Sequence, residues 1–165
     1  MNSEVRYGDA NFFLSYINEI IDRLPVVSAL LDESSKGTFD LITSTVSIVE
    51  VAFALTEQKK QLLSPEVEAQ IDLLWEDRSV VELVEFHEQL GRDARGLMRT
   101  GLERGWSLKP KDAIHLATAS AYGSTTLYTY DKSLWKYSEM LGITVCEPAI
   151  VAPRLLDFAR VRIAA

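Results

Sequence analysis

Apolar positions along this chain recur with two different periods, close to two in some stretches and close to 3.6 in others, and the periods alternate. The run from Leu108 to Trp135, LKPKDAIHLATASAYGSTTLYTYDKSLW, holds a helix start, a strand and a second helix start. Pro110 suits the first turn of a helix, and Ala113, Ile114, Ala117, Ala119 and Ala121 carry the helical pattern until Gly123 stops it. Thr125 to Thr129 is a β-prone run that ends at Tyr130-Asp131, after which a helical pattern resumes through Leu134, Trp135 and Leu141. Asp112 therefore falls in the first turn of a helix, and Asp131 just past the carboxyl end of a strand.

The same alternation runs through the rest of the chain. Glu4 to Gly8 reads as a strand and is followed by Asp9-Ala10-Asn11 and a helix carrying Phe12, Phe13, Tyr16, Ile17, Ile20 and Ile21, expected to break at Pro25. Val26 to Leu31 is a further helical segment before the loop of Ser34, Ser35 and Gly37. Thr38 to Thr43 reads as a strand, and Ser44-Thr45 leads into a helix expected to bury Val46, Val49, Phe53 and Ala54, with Glu50 in its early turns.

The middle, about 64–105, is mostly helical. Ser64-Pro65-Glu66 starts a helix with Val67, Ile71, Leu74 and Trp75 on one face. Ser79 to Phe86 reads as a strand, and a helix with Leu90, Ala94, Leu97 and Met98 follows. Arg92, Arg95 and Arg99 share a side of that helix, either as a solvated face or as a strip that contacts phosphates. Gly142 ends the last helix and Ile143 to Cys146 forms a final strand. The tail from Pro148 to Ala165 carries Leu155, Leu156, Phe158, Val161 and Ile163, and is expected to pack on the domain or on a partner. Strands alternating with helices predict an α/β architecture, with 1–147 as one domain, and if the strands flanking a helix are parallel the connection is a crossover unit.

Composition narrows the class. With 165 residues, 47% of them hydrophobic and 25% charged, the chain fits one globular domain with a full core. The single cysteine, Cys146, excludes an internal disulfide, and two histidines give no zinc-type cluster. No apolar run reaches the roughly 20 residues of a membrane span, and the N-terminus lacks the layout of a signal peptide, so a cytoplasmic protein is expected. A net charge of −7 argues against wholesale attraction to nucleic acid but leaves room for a local basic patch.

Four acids, Asp9, Glu50, Asp112 and Asp131, stand at strand-to-helix junctions or in early helical turns. Singly, each has an ordinary role at a helix start: Asp9 and Asp131 as caps, Asp112 as a first-turn acid, and Ser47-Ile48-Val49-Glu50 as a match to the S-x-x-E capping box. Jointly they point elsewhere, because the carboxyl ends of parallel strands share one edge of the sheet, where ligands gather. Two like charges about 4 Å apart cost roughly 4 kcal/mol at an effective dielectric of about 20, so such a cluster requires protons or a cation. An all-oxygen donor set suits Mg²⁺ or Mn²⁺, and those ions suit phosphodiester hydrolysis.

Asp9-Ala10-Asn11 after a short strand, Ser47-x-x-Glu50, Asp112-Ala113-Ile114-His115-Leu116-Ala117-Thr118-Ala119 and Thr129-Tyr130-Asp131, in this order and spacing, resemble the PIN-domain nucleases, and among them the VapC-type toxins of toxin-antitoxin pairs. The resemblance spans Tyr7 to about Glu147. It implies a three-layer α/β/α sandwich with a central parallel sheet, here with a helical insertion, and a Mg²⁺- or Mn²⁺-dependent endoribonuclease. It also implies an RNA substrate, a cognate antitoxin that reaches into the acidic site, and a homodimer.

By position, Asp9, Glu50, Asp112 and Asp131 match that family's acidic quartet of metal-holding catalytic residues, and Asn11, Ser47 and Thr129 match its polar neighbours. Gly8 departs from the pattern, standing where a bulky apolar residue is usual. His115 is expected to support the site from the core rather than to act as a base. Two other classes remain in play: a PIN-like module that binds RNA or protein without cutting, and a carboxylate-Mg²⁺ phosphatase or receiver domain. Against the latter, the first strand end carries no paired Asp-Asp and the chain no D-x-D-x-T motif.

Overall fold

In a computed structural model, which describes residues 2–150, the elements follow in the order β1 (Val5–Gly8), α1 (Ala10–Ile17), α2 (Leu24–Ser35), β2 (Asp40–Ser44), α3 (Val46–Glu50), α4 (Leu55–Lys60) and α5 (Pro65–Glu76). Then come β3 (Glu82–Val84), α6 (Glu88–Glu103), α7 (Pro110–Ala121), β4 (Thr126–Tyr128), a 3₁₀ turn (Lys132–Leu134), α8 (Tyr137–Leu141) and β5 (Thr144–Cys146). The strands form one sheet in the order β3-β2-β1-β4-β5, and every pairing is parallel. Tyr7 of β1 stands beside Ile42 of β2 and Leu127 of β4.

Strands of so short a span stay buried because both faces are covered. Leu41 and Tyr128 point into a core shared with Phe12 and Phe13 of α1, Val27 and Leu30 of α2, and Trp75 of α5. Tyr7, Ile42, Leu127 and Val145 point into a second core with Leu90 of α6, Leu116 of α7 and Tyr137 of α8. Alternate residues of each strand thus feed opposite layers, which makes the three-layer α/β/α sandwich. The helical middle belongs to this frame, since it supplies the edge strand β3.

Several local expectations need correction. The first helix ends at Ile17 rather than near Pro25; Glu19 turns left-handed with φ of 48°, Ile21 is 86% exposed, and Pro25 sits in the first turn of α2, where its missing N–H costs nothing. The helix after β2 is only Val46–Glu50. Val49 is 76% exposed and Phe53 is exposed as well, so of the expected apolar side only Ala54 is fully buried. The turn at Val51, itself buried, redirects the chain into α4, which the pattern had not indicated. Glu57 holds the start of that helix by accepting from the backbone N–H of Ala54 at 3.0 Å. The helix expected after Asp131 divides into the 3₁₀ turn and α8.

Among the described residues, no helix is long and apolar enough to cross a membrane. The tail expected from Pro148 to Ala165 lies, from residue 151 on, outside the described residues.

Candidate active site

The order of the strands decides where chemistry can gather. From β1 the chain moves outward to β2 and β3, then returns to the other side of β1 as β4. The carboxyl ends of β1 and β4 therefore flank a point where the crossovers diverge, the place where open α/β sheets bind ligands. Asp9 follows β1 and Asp131 follows β4 by a few residues. Asp112 opens α7, and Glu50 closes α3, the helix that follows β2.

Asp9 is held in place by the backbone. Its carboxylate accepts from the N–H of Phe12 at 3.1 Å and its own N–H donates to the carbonyl of Tyr128 at 3.3 Å, which ties the ends of β1 and β4 together. It is only 4% exposed. Burial pushes its carboxyl above the usual carboxylate range; the Thr129 hydroxyl works in the opposite sense, and the charge of Asp112 adds to the rise. Gly8, before it, packs against aromatic rings. A Cβ there would lie 3.2 Å from the ring of Phe12 and 3.3 Å from that of Phe13, so the first turn of α1 approaches the strand end closely because no side chain intervenes.

Asp112 is half-buried, with its carboxyl raised by burial; the ammonium of Lys111 opposes the shift and the charges of Asp131 and Glu50 reinforce it. Asp131 accepts from the N–H of Ser133 at 2.9 Å, and its own N–H donates to Thr129 Oγ1 at 3.1 Å. The Thr129 hydroxyl thus orients Asp131.

Glu50 is held from two sides. Its Oε1 lies 2.8 Å from His115 Nε2, and its Oε2 lies 3.6 Å from Lys111 Nζ. Burial opposes ionisation of Glu50, but the hydrogen bond from His115 and the ammonium of Lys111 outweigh it and hold the carboxyl below the usual range. The capping box expected of Ser47 and Glu50 does not form: α3 starts two residues too early for that pairing and has no side-chain cap. Ser47 is instead fully buried, with its Oγ 2.7 Å from Thr43 Oγ1.

Three of the expected neighbours, then, have defined places: Thr129 under Asp131, Ser47 under the end of β2, and His115 against Glu50. Asn11 is exposed on α1. Arg92, Arg95 and Arg99 are all exposed on α6, and Arg92 pairs with Glu88 at 3.0 Å. Arg92, Gly96 and Leu97 share a groove with Ala117, Ser120 and Ala121 of α7. The early part of α6, with Arg92, therefore lies beside the end of α7 opposite Asp112. Tyr7 and Lys111 escaped the sequence reading, although Tyr7 stands two residues before Asp9 and Lys111 directly precedes Asp112.

The donors around the four acids are oxygens, which suit a hard divalent cation in kind. Among the described residues, no three acidic, histidine or cysteine side chains are arranged as a ready ligand set. Asp112 lies within the field of Glu50, Asp131 and Asp9, while Glu50 is turned toward His115 and Lys111.

No curated relative matches the chain by sequence. Among solved structures, the chain is similar to VapBC2 from Rickettsia felis bound to a DNA fragment from its promoter, at 16% identity and a TM-score of 0.65, with 86% of this chain and 96% of that one covered. It is also similar to VapC20 of Mycobacterium tuberculosis, a sarcin-ricin loop cleaving toxin, at 16% identity and a TM-score of 0.58, covering 77% and 90%. A third similar structure is a toxin-antitoxin complex from Klebsiella pneumoniae, at 16% identity and a TM-score of 0.58, covering 88% and 99%. These likenesses establish the fold. The family model described as PIN domain matches residues 7–139, a span that runs from within β1 to within α8 and holds all four acids, and the chain belongs to the PIN domain family.

Proposed function

We propose that this protein is a Mg²⁺- or Mn²⁺-dependent endoribonuclease, the toxin of a toxin-antitoxin pair, with Asp9, Glu50, Asp112 and Asp131 as its metal-holding catalytic residues. One observation carries the reading. Asp9 is a nearly inaccessible carboxylate at the divergence of the crossovers, its ionisation opposed both by burial and by Asp112, and a divalent cation relieves both penalties at once.

A bound cation supplies a water of lowered pKa and shields the charge of the phosphate under attack. The chain's own groups hold the acids for that task. The N–H of Phe12 fixes Asp9, the Thr129 hydroxyl fixes Asp131, and Asp112 projects from the first turn of α7. Lys111, half exposed beside Glu50, is placed to meet an incoming phosphate. The likeness to VapC20 and to a toxin-antitoxin complex supports an RNA substrate and a cognate antitoxin for this chain. Ile48, Val49, Phe53, Leu55, Leu62 and Leu63 are exposed on and around α3 and α4, and form an apolar surface suited to an antitoxin or a second copy. A cytoplasmic site of action and a domain of 1–147 complete the reading.

A non-cutting PIN-like module that binds RNA or protein is favoured by one specific observation: Asp9 and Asp131 both serve as helix-start caps. End-labelled RNA incubated with the protein and Mg²⁺, Mn²⁺ or EDTA decides between the two, with an aryl phosphate monoester as a parallel substrate. Cation-dependent internal cleavage that is lost in Asp112→Asn, with the monoester untouched, is the expected result. RNA left intact under every cation condition, and protein melting unaffected by either ion, would overturn it.

A further inference from the structure

A buried chain of hydrogen bonds leads from the backbone of β2 to Glu50. The N–H of Ser44 donates to Tyr7 Oη at 3.0 Å. Tyr7 Oη lies 2.6 Å from His115 Nδ1, and His115 Nε2 lies 2.8 Å from Glu50 Oε1. The partners fix the protons. A backbone N–H can only donate, and an ionised carboxylate can only accept, so Nε2 carries a hydrogen toward Glu50. Burial keeps Tyr7 protonated, and its Oη meets His115 Nδ1. Both ring nitrogens are thereby engaged, and the orientation of the ring is fixed.

His115 is 2% exposed and Tyr7 is fully buried. The imidazole also packs edge-on against the Tyr7 ring, with centroids 5.7 Å apart, so it has no room to turn away. The two oxygens of Glu50 consequently meet unequal neighbours: Oε1 faces an immobile donor inside the core, whereas Oε2 faces Lys111, a flexible and half-exposed side chain at 3.6 Å.

We propose that His115, held by Tyr7 and the backbone of Ser44, is a positioning residue that fixes Glu50 through Oε1, and that Lys111 is a replaceable counter-charge on Oε2 which a divalent cation displaces. The inference rests on the reading of Glu50 as a metal holder. A histidine that served the core alone would need partners for its two nitrogens, but those partners would not need to reach the acidic cluster.

The test is Mn²⁺ affinity, measured by the signal of free Mn²⁺ in electron paramagnetic resonance titrations of the full chain, with thermal melts to confirm folding. His115→Leu is expected to weaken Mn²⁺ binding by about 10- to 100-fold, the usual effect of removing a support behind a metal ligand. His115→Gln, whose amide places a donor near the old Nε2, is expected to stay within roughly threefold of wild type. Tyr7→Phe keeps the ring but frees the imidazole, and should lie between the two. Lys111→Ala should leave affinity unchanged or raise it.

In a Glu50→Gln background, His115→Leu should add nothing, since residues that act through one another are not additive. Wild-type Mn²⁺ affinity in both His115→Leu and Tyr7→Phe, with Glu50→Gln impaired, would overturn the positioning role. An undiminished effect of His115→Leu in the Glu50→Gln background would overturn it as well. Wild-type affinity in Glu50→Gln itself refutes the assignment of Glu50 as a metal holder, which is a separate failure. Should His115→Leu not fold, Tyr7→Phe decides alone: unchanged affinity there overturns the role, and weakened affinity supports it.

Discussion

Ser47 Oγ donates to Thr43 Oγ1 across 2.7 Å, because the single proton of the Thr43 hydroxyl is already given to the carbonyl of Gly8, also at 2.7 Å. Two hydroxyls thus run from the first turn of α3, through the end of β2, to the residue before Asp9. All of this is buried, and its purpose is to seat the end of β1.

Ser47→Ala is therefore expected to act on the strand end rather than on a helix cap. It removes one donor and leaves an acceptor of Thr43 empty, at a cost of about 1 kcal/mol. Thr43→Val strands both the Gly8 carbonyl and the Ser47 hydroxyl, and should cost about 1–3 kcal/mol. Urea unfolding of the two variants measures the difference, and a larger loss in Ser47→Ala would contradict the direction assigned to these bonds.

Glu50→Gln separates charge from shape. The amide oxygen can still accept from His115, so folding should be retained, although the charge that His115 and Lys111 favour is gone and the metal-free protein should be slightly less stable than wild type. Cleavage of RNA at saturating Mn²⁺ should fall by about 100-fold or more, as expected when a ligand of a catalytic ion loses its charge. Full activity in the purified variant would remove Glu50 from the catalytic set.

The pH dependence of stability follows from Asp9 and Asp112, both raised in the folded state. A raised carboxyl binds more protons folded than unfolded, so its stabilising contribution is complete below the ordinary carboxylate range and is lost as pH climbs through the raised value. Without metal, the melting temperature of the wild type should fall relative to that of Asp9→Asn/Asp112→Asn as pH rises above the ordinary carboxylate range. Added Mg²⁺ should restore the wild type at the upper end, and parallel curves for the two proteins would contradict the shifts.

Gly8→Ala should destabilise by about 1–3 kcal/mol, because the added methyl meets the buried rings of Phe12 and Phe13 at 3.2–3.3 Å. The same displacement moves Asp9, so Mn²⁺ affinity should fall along with stability. A variant as stable as wild type would show that α1 can shift freely on the sheet.

The arginine strip is graded by its placement. If it meets RNA, each lost phosphate contact lowers the salt slope of binding by roughly one unit. Arg99→Ala should have the larger effect, since Arg92 is paired with Glu88 and lies toward the far end of α7. Binding measured between low and moderate salt reads this directly, and a triple alanine variant with the wild-type slope would return α6 to a solvated face.

The alternation of strand and helix signals was enough to indicate an α/β sheet and the helix-start positions of Asp9, Asp112 and Asp131, whereas Glu50, expected in an early turn, closes α3. Each of those features depends on neighbours a few residues apart, where period and capping chemistry are written locally. Asp9 and Asp131 act as caps, as their positions suggested. The helix after β2 was misread for a related reason. Val49 and Phe53 fit a helical period, but an apolar pattern records only what could be buried, and among the described residues no element covers them.

What the sequence determined by itself was the α/β class, the glycine-then-aspartate end of β1 and the helix-start places of Asp9, Asp112 and Asp131. Tertiary structure alone decided that Tyr7 and His115, 108 residues apart, meet across β1 and α7, that Glu50 turns to them rather than to a helix cap, and that Ser47 serves the neighbouring strand. Those pairings depend on the strand order, which puts β1 between β2 and β4, and a side chain's choice among distant partners is fixed only when the sheet assembles and excludes water from the space between them.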